Sequence, residues 1–166
     1  MKQTIAIVGS ILLVIGLFIV LTFTDSPEVN TGEFDSYADE TEESLPRNLC
    51  VEHTEAISMH IHPTLTIIVD GQQVPIPANT GVSETCMRAL HTHEGDGEIH
   101  IEYPTEYEFM LGDFFANWGG TFNQNQILTH VADDTHRIRM TVNGVESTEF
   151  ENLILKDLDQ IVIHYE

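Results

Sequence analysis

Histidines recur at alternate positions along this chain, as His60 and His62, then His91 and His93, with His100 shortly after. Residues two apart in an extended strand point to the same face, so the HIH and HTH pairs each present two imidazoles to one metal ion. Imidazole-rich donor sets suit zinc or copper, with nickel and iron open, and outside a cell copper and zinc are the expected cofactors. Glu98 or Glu102 could act beside them in one of three ways: as a ligand, as an acceptor orienting an imidazole N–H, or as a general base. The candidate ligands are therefore His60, His62, His91, His93, His100 and Glu98.

These residues need strands to hold them. LHTHEGDGEIHIEYP has the pattern of a β-hairpin around the turn-prone Glu94-Gly95-Asp96-Gly97. If all four residues form the loop, His93 opposes Glu98 and His91 opposes His100; if only Asp96-Gly97 turn, His93 faces His100 and His91 faces Glu102. Either register gathers imidazoles and a carboxylate on one face and leaves Ile99, Ile101 and Tyr103 for the core. In ISMHIHPTLTIIVDG, the apolar residues Ile57, Met59, Ile61, Leu65, Ile67 and Val69 alternate with His60, His62, Thr64 and Thr66. Pro63 cannot donate to a ladder and predicts an edge, bulge or bend just after the pair.

The remaining pattern predicts a mainly β (α+β) domain, antiparallel and with one short helix. VDG at 69–71 and VNG at 142–144 each follow an alternating apolar run and predict tight hairpin turns. A second extended run is expected after each, in QQVPIPANTGV, at an edge because of its prolines, and in ESTEFENLILK. RIRMTVNG and DQIVIHYE read as half-buried strands. Leu111, Phe114, Phe115 and Trp118 fall at helical spacing, with Asp113 near the start and Gly119-Gly120 at the end, so this aromatic stripe is expected to be core. TFNQNQILTHVADDTH lacks a period and is expected to be a loop with a short strand. His53, His130, His136 and His164 stand alone and are expected to be surface or satisfied core residues, with Asp133, Asp134 and His136 forming a polar loop.

Thr4 to Phe23 are uncharged and nearly all apolar, about the length that spans a bilayer, and no small-residue cleavage site follows. Residues 1–24 are therefore expected to be a single-pass anchor whose partner is membrane lipid. Lys2 precedes it and acidic residues follow, which predicts an extracytoplasmic C-terminal domain. Residues 25–47 have the composition of a self-repelling acidic linker. Residues 48–166 are long enough to bury a hydrophobic core and carry all nine histidines. A net charge of −21 argues against nucleic acid as a partner and makes cations the natural company; no protein partner is legible. Cys50 and Cys86, an even pair in an oxidising compartment, predict a disulfide. The alternative is a thiolate ligand: Cys86 and His91 have a blue-copper-like spacing, but the Met expected a few residues beyond that His is absent.

The segments HIHPTLTIIVDG, PIPANTGV, CMRALHTHEGDGEIHIEYP and FMLGDFFANWG, in that order, resemble a family of membrane-anchored or secreted archaeal and bacterial proteins. That family shares H-x-H, L-H-T-H, G-x-I-H-I-E and L-G-D-F-F-x-x-W-G motifs. The resemblance covers most of residues 50–145 and implies one extracytoplasmic module with the histidines as its common feature; it implies no substrate or catalytic residue. Three function classes compete. A copper- or zinc-binding module for metal capture or transfer is favoured, since the chain has no clear nucleophile motif. A cupin-like metal enzyme, oxygenase or hydrolase, is the alternative: His91-x-His93-x4-Glu98 has the spacing of that fold's first motif, with His130 as the further ligand. The third is a surface structural subunit whose histidines bond within the sheet.

Overall fold

Two dipeptides reverse the chain where their chemistry demands it. Asp70 and Gly71 have φ of 50° and 76°, and Asn143 and Gly144 have 53° and 78°; positive φ at both central residues is what a two-residue hairpin turn requires. The first joins β2 (Thr64–Val69) to β3 (Gln72–Val74), and the second joins β9 (Ile138–Val142) to β10 (Val145–Ser147). Between these hairpins lies β11 (Gln160–Tyr165), parallel to β2 and antiparallel to β9, giving the order β10-β9-β11-β2-β3. Leu65, Ile67, Met140, Ile161 and Ile163 from its three inner strands are all buried. The proline-containing run after Val69 supplies an edge strand, as expected. After Gly144 the extended run is shorter than expected: three residues, then a 3₁₀ turn at Phe150–Asn152.

The computed structural model describes residues 45–51 and 56–166. The expected anchor (1–24), residues 25–44 of the expected linker, and His53 lie outside them. Among the described residues no helix is long and apolar enough to cross a membrane. Leu45 to Arg47, counted with the linker on composition, carry structure: Pro46–Asn48 form a 3₁₀ turn, and Arg47 Nη1 donates to Asp113 Oδ1 at 3.0 Å.

A second antiparallel sheet has the order β1-β5-β4, from β1 (Met59–Ile61), β5 (His100–Tyr103) and β4 (Leu90–His91). Ile99 and Ile101 are fully buried, and Tyr103 packs against the same core. The helix α1 (Leu111–Trp118) forms where the aromatic spacing predicts it. Asp113 Oδ2 accepts from the Met110 N–H at 2.8 Å, and Gly119 ends the helix at φ 79°. Leu111, Phe114 and Phe115 are buried.

The stretch after α1 departs from expectation. Instead of a loop with one short strand, β6 (Phe122–Asn123), β7 (Gln126–Ile127) and β8 (His130–Val131) form a small antiparallel sheet. Two-residue strands carry too little alternation to register as a period. The Cys50–Cys86 disulfide is formed. A thiolate ligand at Cys86, and with it a blue-copper-like centre, is thereby excluded.

Candidate metal centre

The site grows from the break at Pro63. β1 ends at Ile61, β2 begins at Thr64, and the two strands belong to different sheets. Having no N–H, Pro63 still offers its carbonyl, which accepts from Ile99 at 2.9 Å and pins the His62 corner to the start of β5. Across the smaller sheet, His60 pairs with Glu102 and His91 with His100. The β1–β5 register, continued by one residue, sets His62 opposite His100, and their rings meet at a centroid distance of 4.8 Å.

The His91↔His100 pairing is that of the four-residue loop, but the ladder stops there. Beyond it Glu98 bridges to Thr64 rather than to His93. His93 turns back on its own side of the sheet: its ring lies 4.7 Å from that of His91 and 4.6 Å from that of His100. With His60 and His62 at 4.6 Å, all five rings form one contiguous cluster.

His91 is the most constrained member. It is fully buried, and its Nδ1 lies 3.0 Å from the Arg88 carbonyl oxygen. A carbonyl only accepts, so Nδ1 carries the proton and Nε2 of the neutral ring is the acceptor. That Nε2 stands 3.2 Å from His93 Nε2. Two nitrogens bound to one tetrahedral zinc ion at about 2.0–2.1 Å would be roughly 3.3 Å apart. Burial first, and then the neighbouring His93 and His100, push the His91 pKa down to about 4 against the raising effects of the Arg88 bond and Glu102. His100 is also lowered, by burial first and then by its His93 and His62 neighbours.

The scaffold behind His91 is dense. A Cβ on Gly81 would lie 2.4 Å from the Leu90 carbonyl oxygen and 3.3 Å from His91 Cα, so only glycine lets this loop pass behind the ring. Thr92, also fully buried, accepts from Thr80 N–H and donates to the Pro77 carbonyl. Asn117 of α1 donates to the Leu90 carbonyl at 3.0 Å. Cys50 pairs with Arg88, so the disulfide lies one short step from the carbonyl that orients His91.

Two groups in this cluster could hold a metal ion: His60, His62 and His100, and His91, His93 and His100. Within each, the donor atoms lie within 4.8 Å of one another, and His100 belongs to both. Carboxylates flank them. Glu98 Oε1 is 3.2 Å from His100 Nε2, Glu102 Oε1 is 3.2 Å from His60 Nε2, and Asp157 accepts from the His62 backbone N–H at 3.0 Å. Glu98 thus stands beside the cluster as the partner of one imidazole. Asp157 carries no sequence signal, because it meets His62 only through the tertiary fold.

The other described histidines join neither group. His130 packs against Tyr165 with centroids 5.2 Å apart, and His136 stacks on the same ring. Asp133 Oδ1 accepts from the Thr135 hydroxyl and from the Thr135 and His136 N–H groups, and these bonds hold its carboxyl well below the usual range. Asp133, Thr135 and His136 are a self-bonded polar loop, as expected.

Compared with family models, with curated proteins and with solved structures, the chain finds no match in any of the three.

Proposed function

We propose that this protein is a membrane-anchored, extracytoplasmic domain that binds copper or zinc and serves in metal capture or transfer. The observation that carries the proposal is the convergence of five imidazoles into two three-histidine groups. The buried Nε2 of His91 supports it, because the Arg88 carbonyl holds the proton on Nδ1 and so keeps the Nε2 lone pair on the side of His93, the tautomer a ligand needs. A fully formed disulfide suits an oxidising exterior. The uncharged stretch from Thr4 to Phe23 is the basis for the anchor, and the surplus of acidic residues favours cations as cargo. A cupin-like enzyme would need His130 as a further ligand, and His130 sits against Tyr165 instead.

Elemental mass spectrometry of the full chain, loaded with copper or zinc and desalted, tests this. The wild type should retain near-stoichiometric metal. His91→Ala/His93→Ala, and His93→Ala alone at its exposed position, should lose most of it. A folded wild type that retains neither element removes the proposal.

A further inference from the structure

Five imidazoles make two triads only because one of them is counted twice. His100 is common to both, and the two triads differ in character. His60 and His62 are open to solvent, with side chains 54% and 31% exposed, and their partners Glu102 and Asp157 put negative charge beside them. In the other triad His91 is wholly enclosed, its tautomer set by the Arg88 carbonyl, its Nε2 already aimed at His93 Nε2. His100, 20% exposed, stands between.

We infer that the two triads are successive stations for a single divalent ion, with His100 as the ligand that stays bound while the others exchange. This rests on the metal-binding proposal and adds a route to it. An ion from solvent is drawn to the acidic, exposed side and binds His60, His62 and His100. Its bonds to His60 and His62 then break as bonds to His91 Nε2 and His93 Nε2 form. His91 enters with its Nε2 lone pair, and His93, exposed, shifts its proton from Nε2 to Nδ1. The departing imidazoles leave neutral, so neither net protons nor oxidation state change. The ion is never released to water between stations, because His100 holds it throughout. A neutral imidazole has a single lone pair, so His100 ligates one ion at a time, which is why one ion moves rather than two residing.

The test uses the full chain and Zn²⁺ transferred from a chromophoric indicator, followed by an EDTA chase, with Cu²⁺ paramagnetic resonance for stoichiometry. Wild type should bind one equivalent. His60→Ala/His62→Ala should still bind one equivalent, with uptake and release both slowed tenfold or more, because the route is the same in both directions. His93→Ala, at an exposed position where folding is not at stake, should load at the wild-type rate and release to EDTA tenfold or more faster. His100→Ala should load slowly and release fast. Equal losses of uptake and retention in the two classes of variant would overturn the two-station route in favour of one five-histidine site, while leaving metal binding intact. Two bound equivalents of Cu²⁺ with a coupled, diminished signal would overturn it in favour of a dinuclear centre bridged by His100. Failure to bind either ion would remove the metal-binding proposal itself.

Discussion

A histidine kept neutral in the interior links the candidate site to the stability of the fold. The unfolded chain protonates His91 near 6.5, whereas the folded chain resists protonation down to about 4. Between those values the unfolded state binds more protons. This contribution to stability is therefore complete above pH 6.5 and is lost as the pH falls toward 4. The metal-free protein should lose on the order of 2–3 kcal/mol over that interval from this one residue. Urea denaturation in EDTA at both ends of the interval measures it, and His91→Leu should remove that part of the pH dependence; an unchanged pH dependence in the variant would show that His91 titrates normally. At this scale much was legible in sequence. Alternation alone singled out His60, His62, His91, His93 and His100, because strand geometry acts over two residues. Asp157 and the Arg88 carbonyl were not legible, since the first arrives from a distant loop and the second is backbone.

Elements position the site by close approach, and two glycines separate that effect from backbone strain. Gly81 and Gly71 have nearly the same φ, +75° and +76°, but a Cβ at Gly81 would strike the Leu90 carbonyl whereas one at Gly71 meets nothing within 4 Å. Gly71→Ala should thus cost only the left-handed strain, about 1–2 kcal/mol. Gly81→Ala should cost clearly more, and should also loosen metal retention because the displaced segment carries His91. Thermal melts of the two variants decide this, and equal shifts would mean that the loop behind His91 yields freely. The hairpin turns and α1 were legible because Asp-Gly, Asn-Gly and a 3.6-residue aromatic stripe are local signals. Pro63 announced a break, though not that the chain would change sheets there. The meander of β6, β7 and β8 was invisible, its strands being shorter than one period of evidence.

At the scale of the whole molecule, the disulfide and the central strand tie distant parts of the chain together. Cys50 and Cys86 are separated by 36 positions, and closing a loop of that size stabilises a fold by about 3–4 kcal/mol in the chain-entropy view. Cys50→Ala/Cys86→Ala should lower the denaturation midpoint accordingly and speed metal release, because Arg88 sits on the tethered segment. Urea titration together with an EDTA chase reads both, and a stability loss without faster release would confine the disulfide to a structural role. The pairing of the two cysteines was readable from their even count, but the five-stranded order was not. No local pattern announces that β11 lies parallel to β2, roughly a hundred residues earlier in the chain. That central strand sets a timetable. Until residues 160–165 are available, β2 and β9 have nothing between them, so the hairpins can form early while the sheet that anchors the Pro63 corner must wait. The five-stranded sheet therefore closes only once the last strand of the chain is in place.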